Sequence, residues 1–120
     1  MKPEDQLTVA VADYLRLQHP DVLFTHIANE RQTSPMRGAK FKRMGVRAGM
    51  PDIMVFHPRK VLRGSKSYQQ AGLAIELKVG IRKPTDAQVD CLTSLGLSNW
   101  DVHVCRSLDD AIKCIDNYFQ

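Results

Sequence analysis

Acidic residues are nearly missing from the middle of this 120-residue chain: between Arg31 and Lys66 the sole one is Asp52. Ten basic residues share that segment, which leaves it at +9 when the whole chain is +4 and the remainder therefore −5. A surface that serves solubility alone mixes its signs, so this segregation points to a face for a polyanion. Cysteine is also scarce. Cys91, Cys105 and Cys114 are odd in number and form no C-x-x-C pair, which argues against a disulfide framework or zinc site and for free, buried thiols in a reducing cytoplasm. No apolar run nears the roughly 20 residues of a bilayer span. The first residues, MKPEDQLTVAVADYL, set acids where a signal peptide has its apolar stretch, so neither membrane nor export is expected. His19, His26, His57 and His103 lack the spacing of metal ligands and read as structural. No Gly-rich phosphate loop, Ser-His-Asp pattern or nucleotide fingerprint is present, so no nucleotide cofactor is expected.

What is there has the composition of a folded protein, 43% hydrophobic and 25% charged, which excludes disorder. The length suits a single domain over residues 1–120. Pro3 and the stripe Leu7, Val11, Tyr14 and Leu15 predict a helix over 3–17, ended by His19-Pro20. VLFTHI (22–27) and IMVFH (53–57) read as strands. Between them 28–48 is basic, with a short helix at AKFKRM. A basic loop is expected over 58–72, then the strand LAIELKV (73–79). Thr85 and Gln88 form a capping-box pattern for a helix that Gly96 ends. DVHVC (101–105) is a strand, and Ser107 caps a helix whose face is Leu108, Ile112, Ile115 and Phe119. The order α-β-β-β-α-β-α gives an α/β fold, a mixed central sheet flanked by helices.

The chemistry sits where charge enters the strands. Alternation sets Leu73, Ile75, Leu77 and Val79 on one face of LAIELKV, with Ala74, Glu76 and Lys78 on the other. If 53–57 pairs with 73–79 in an even-to-even register, Asp52 stands beside Glu76 and Lys78. Two carboxylates at close range repel unless a cation lies between them, and hard oxygen ligands favour Mg²⁺ or Mn²⁺. A lysine there orients or deprotonates a water, or neutralises charge developing on a phosphate. The set suits phosphodiester hydrolysis. Each member has an ordinary alternative: a turn aspartate for Asp52, the wet side of a strand for Glu76 and Lys78, a first-turn acid for Glu4, a capping box for Gln88.

The ordered set Glu4, Asn29-Glu30, Gly49-x-Pro51-Asp52, Glu76-x-Lys78 and Gln88 resembles the PD-(D/E)XK nuclease superfamily. Within it, the set resembles the virus-type replication-repair nuclease (VRR-NUC) domain, in the stand-alone form of phages and bacteria. That resemblance implies a restriction-endonuclease-like core and a Mg²⁺- or Mn²⁺-dependent DNA endonuclease working in a bacterial host cell. It makes Asp52 and Glu76 metal ligands, joined by the backbone carbonyl of Leu77, and lets Glu4 face the metal directly or through a water. Lys78 would activate or position the attacking water, and Gln88 would complete the catalytic group. Asn29 and Glu30 would brace the site or contact nucleic acid.

The basic segments 31–47 (Arg31, Arg37, Lys40, Lys42, Arg43, Arg47) and 58–66 (Lys60, Arg63, Lys66) would then flank the site and contact phosphates, with Arg82 and Lys83 beside the Gln88 helix. Aromatics are few nearby (Phe41, Phe56, Tyr68), which favours recognition of duplex backbone over base stacking. The resemblance implies structure-selective cutting in repair or recombination, with resolution of four-way (Holliday) junctions first. Two symmetric incisions would require a homodimer. A flap-nicking or nonspecific nuclease, and a binding module without catalysis, are the alternatives.

Overall fold

Proline has no amide hydrogen to leave unpaired at a helix start. Pro3 opens α1 (Pro3–Gln18) in the computed structural model, which describes residues 1–28 and 34–120. The stripe expected from spacing is the buried one: Val11 and Leu15 are fully enclosed, and Leu7 and Tyr14 pack against them. The chain continues through β1 (Phe24–His26), α2 (Pro35–Arg43), β2 (Ile53–Val55), β3 (Arg59–Arg63), β4 (Lys66–Gln70), β5 (Gly72–Leu77), α3 (Asp86–Leu97), β6 (Trp100–Cys105) and α4 (Leu108–Tyr118). Asn29, Glu30 and Arg31, singled out from the sequence, lie outside the described residues.

Four strands form a mixed sheet in the order β1-β2-β5-β6, antiparallel except for the parallel pair β5 and β6. Parallel neighbours need a crossover, and α3 supplies it. All six residues of β5 are buried, because the strand is interior and both its faces are covered. On one face Leu73, Ile75 and Leu77 join Ile53 and Val55 of β2, Val11 and Leu15 of α1, and Ala111, Ile115 and Tyr118 of α4. Burying each such Leu or Ile side chain stabilises by about 1.5–3 kcal/mol. That face holds the fold together. The other face carries Ala74 and Glu76 and meets α3, whose Gln88 reaches Glu76. The mixed α/β architecture expected from the sequence is the one found.

The details differ in four places. The short helix is α2, which begins earlier than AKFKRM because Ser34 caps it, its Oγ accepting from the Arg37 N–H at 3.2 Å. The expected loop 58–72 is a hairpin of β3 and β4, paired from Arg59↔Gln70 to Arg63↔Lys66. Its turn is Gly64-Ser65, and Gly64 at φ 59° suits the first central position of a type II′ turn. Reading this stretch as loop gave weight to its charge and overlooked the strand formers Val61 and Tyr68. Gly96 lies inside α3, and the chain turns instead at Asn99, with φ 66°. The inward face of α4 is Ala111, Ile115 and Tyr118, turned slightly from the expected stripe.

Candidate active site

Asp52 immediately precedes β2, and Glu76 lies near the end of β5. Their strands pair as Ile53↔Ile75 and Met54↔Ala74, so one further step sets Asp52 opposite Glu76. This is the even-to-even register that the juxtaposition of Asp52 and Glu76 required. Asp52 is fixed from two sides. Its Oδ2 accepts a 2.7 Å hydrogen bond from the Leu77 N–H, and its carbonyl accepts from the Ile27 N–H at 2.9 Å. The same carbonyl lies 2.8 Å from His26 Nδ1, and since a carbonyl only accepts, that nitrogen carries the proton.

Two residues earlier than Pro51, Gly49 lets this segment lie against the start of α3. It sits at φ 88°, and a Cβ there would meet the Ala87 carbonyl carbon and oxygen at 2.5 Å. Glycine is required on both counts. The residue after Ala87 is Gln88, whose amide has two duties. Its Oε1 accepts from the Thr85 N–H at 2.8 Å, and its backbone N–H donates to Thr85 Oγ1 at 3.2 Å, which completes the capping box. Its Nε2 donates to Glu76 Oε1 at 3.1 Å. One side chain thus caps the helix and reaches the buried acid.

Glu4, Asp52 and Glu76 each bring one carboxylate oxygen within 4.8 Å of the other two. Glu76 is almost wholly enclosed, at 1% exposure, and its Oε2 is buried without a hydrogen-bond partner. Burial foremost, then the Asp52 carboxylate beside it, pushes the Glu76 carboxyl up to about 9, against the opposing pull of Lys78. Lys78 is itself buried, with Nζ 3.9 Å from Glu76 Oε1, and its backbone N–H donates to the Cys105 carbonyl at 3.0 Å. Three acids this close are not all ionised together unless positive charge joins them. A buried carboxylate with one unpartnered oxygen, close to two further acids, is a donor set suited to a hard divalent cation. Glu4, Asp52 and Glu76 fit such an ion, and Lys78 stands beside it.

The remaining expected residues are distributed unevenly. Arg37, Lys40, Lys42, Arg43 and Arg47 are exposed on α2 and the segment that leads into Asp52. Met36, Ala39, Lys40, Arg43 and Met44 line a shallow groove along that helix. Arg82 is exposed and pairs with Glu4, Nη1 to Oε2 at 3.7 Å, which sets it beside the acidic cluster; Lys83 is exposed. The expectation that 58–66 flanks the acids is not met. The hairpin leaves the C-terminal end of β2 and returns to the N-terminal end of β5, whereas Asp52 and Glu76 lie at the other ends of those strands. Lys60, Arg63 and Lys66 are therefore remote from the carboxylates.

Arg106 and Arg59, to which the sequence assigned no role, and His26, which it marked as structural, hold the surroundings in place. Arg106 Nη1 donates to the carbonyls of Gly80 and Arg82, at 3.1 and 2.6 Å, and pins the turn between Lys78 and α3. Arg59 ties the hairpin root to Asp101 and to the end of α4. His26 clasps the Asp52 carbonyl. The motif spacing carried no signal for these distant pairings.

The whole-chain architecture is similar to a solved structure described as a "VRR_NUC domain protein", with a TM-score of 0.66 and 27% sequence identity, over 98% of this chain and 88% of that one. No protein-family model and no curated protein matches the sequence. The resemblance read from the ordered motif residues is thus borne out by the fold, a mixed α/β core of the PD-(D/E)XK nuclease type.

Proposed function

We propose that this chain, built as a VRR-NUC domain protein is built, acts over residues 1–120 as one divalent-cation-dependent DNA endonuclease domain. The observation that carries the reading is the acidic cluster around Glu76: three carboxylates within 4.8 Å, one buried oxygen unpartnered, and an enclosed lysine alongside. Asp52, Glu76 and the Leu77 carbonyl would hold Mg²⁺ or Mn²⁺, with Glu4 facing it directly or through a water. When bound, the cation supplies charge stabilisation at the phosphate and lowers the pKa of water.

The chain's own groups do the rest. The Leu77 N–H and Gln88 Nε2 fix the Asp52 and Glu76 carboxylates, so neither must reorganise during reaction. Lys78 Nζ orients the attacking water or takes its proton, and its charge opposes the negative charge that grows on the phosphate. Water oxygen bonds to phosphorus, the P–O3′ bond breaks, and the 3′ oxygen takes a proton, which leaves 5′-phosphate and 3′-hydroxyl ends. Arg37, Lys40, Lys42, Arg43 and Arg47 contact backbone phosphates near the cut.

The substrate proposed is branched DNA, a four-way junction first, cut by two copies related by a two-fold axis. The test is a cleavage assay on junction, flap, single-stranded and linear duplex DNA with Mg²⁺, Mn²⁺ or EDTA. Cleavage with either cation, none with EDTA and a preference for the junction are expected. Equal cutting of linear duplex would replace junction selectivity with nonspecific hydrolysis. Absence of cation-dependent cutting on every substrate would end the nuclease reading.

A further inference from the structure

The β3–β4 hairpin stands away from the acidic cluster, yet it is built like an instrument. Its root is clamped. Arg59 Nε donates to Gln70 Oε1 at 2.7 Å, Nη1 to the carbonyls of Asn117 and Tyr118 at 3.0 and 3.1 Å, and Nη2 to Asp101 Oδ2 at 3.2 Å. The guanidinium also lies 4.2 Å from the centroid of the Tyr118 ring. These contacts fasten the arm to the end of α4 and the start of β6. Beyond the root, every residue from 62 to 69 is exposed.

The tip is charged in a way that folding alone does not favour. Residues directly opposite in an antiparallel pair share a face, so Arg63 and Lys66 stand side by side across the turn. Like charges in that position repel. Lys60 adds a cation on the other face, and the sequence holds no acid between Asp52 and Glu76 to answer any of them. Paired cations on a narrow, rooted, acid-free ribbon complement an anionic backbone.

We propose that the hairpin is a second nucleic-acid contact, in which Arg63 and Lys66, with Lys60, grip the phosphates of a duplex arm away from the scissile one. It deepens the nuclease reading and rests on it for the position of the cut. Four steps back along β5 from Glu76 to Gly72 cover about 13 Å, and five-residue hairpin strands extend about 17 Å further. The tip thus reaches as far as roughly 30 Å from the acids, just under one turn of duplex at about 34 Å. The 52 Å long dimension of the molecule accommodates that reach. Because the root is already ordered, little conformational entropy is lost when the arm binds. The arm contributes affinity and register and leaves the chemistry to the acids.

The test is the double variant Arg63→Ala/Lys66→Ala, both positions being exposed, with duplex binding measured in EDTA over a range of salt. Near 0.1 M salt its Kd on a long duplex should rise about tenfold or more, and the log–log salt slope should become shallower by nearly 2, as loss of two phosphate contacts requires. Cleavage at saturating substrate should stay within about twofold, and the affinity loss should vanish on duplexes too short to reach the tip. Arg63→Lys should keep the slope. Unchanged affinity and slope, a change in oligomeric state without loss of DNA binding, or a defect in saturating rate alone would each overturn the proposal. The binding readout needs no catalysis. A chain that never cuts but loses affinity in this variant would keep the contact and drop the nuclease; one that cuts, with the variant binding normally, would do the reverse.

Discussion

Gln88 Nε2 lies 3.1 Å from Glu76 Oε1 while the other end of the same amide accepts the Thr85 N–H at 2.8 Å. Helix start and buried acid are therefore held by one side chain, and two substitutions separate the roles. Gln88→Ala removes both and should cost about 1 kcal/mol of stability, as loss of a cap does. Gln88→Glu retains a capping-box residue but sets a further carboxylate, beside those of Asp52 and Glu4, against Glu76. Urea unfolding should show Gln88→Glu to be the more stable variant, and cleavage should fall at least about tenfold, the scale of a lost positioning contact beside a metal. Wild-type cleavage by Gln88→Glu would reduce the residue to a cap.

The Glu76 carboxyl, raised to about 9 by burial and by Asp52, makes the cation-free protein sensitive to pH. An unfolded glutamate releases its proton near about 4.3. Between those values the native state holds one proton more than the unfolded state, so stability falls as pH rises. The contribution is complete below the unfolded value and gone above the folded one. Urea midpoints in EDTA should drop from pH 5 to pH 8.5 more steeply in wild type than in Glu76→Gln, which has no proton to lose there. Parallel pH profiles would show that Glu76 does not carry the effect. Cation binding runs the other way, because a ligand must be a carboxylate: Mg²⁺ or Mn²⁺ affinity should rise with pH, with proton release on binding.

Much of this site was legible because strand parity is a strict rule. Once Glu76 and Lys78 share a face, an even register leaves Asp52 little choice but to stand opposite Glu76. Capping chemistry located Gln88 for a local reason, and the same side chain also reaches Glu76. Periodicity also found the long helices and the interior strand. It failed where the stabilising partner is far along the chain. Arg59 roots the hairpin through Asp101 and Tyr118, 42 and 59 residues away, and no local pattern announces that. Without its root the stretch 58–72 reads as charged loop, and its remoteness from the acids stays hidden. Arg82 likewise pairs with Glu4 from the other end of the sequence, a contact that no local pattern announces.

Lys78 and Asp52 are separable by what each should lose. Lys78 is enclosed at 4% exposure and in the proposed mechanism meets only the reacting group, not the rest of the duplex, so Lys78→Ala should abolish cleavage and leave DNA affinity within a few-fold. Near-normal turnover would remove the ammonium from the mechanism. Asp52→Asn keeps the shape and an acceptor for the Leu77 N–H but loses the charge. Cation titration and cleavage should weaken together in that variant, since ligand charge sets the affinity of a hard-cation site. An unchanged titration would take Asp52 out of the ligand set.

Gly49 and Gly45 provide a matched pair, since both have positive φ, 88° and 94°, but their surroundings differ. Nothing lies within 4 Å of a Cβ at Gly45, whereas at Gly49 the Ala87 backbone is met at 2.5 Å and the Gln88 nitrogen at 2.8 Å. Gly45→Ala should therefore cost only the left-handed conformation, about 1 kcal/mol, and leave cleavage near wild type. Gly49→Ala adds a collision with backbone, which relaxes only if the Asp52 segment parts from the start of α3. Its expected cost is larger, about 2–3 kcal/mol, in the range where overpacking adds to backbone strain. Cation affinity should fall with it, because Asp52 and the Gln88–Glu76 hydrogen bond shift apart. Urea unfolding and a cation titration on both variants decide the matter: equal losses at the two glycines would mean that close packing against Ala87 does not set the geometry of the acids.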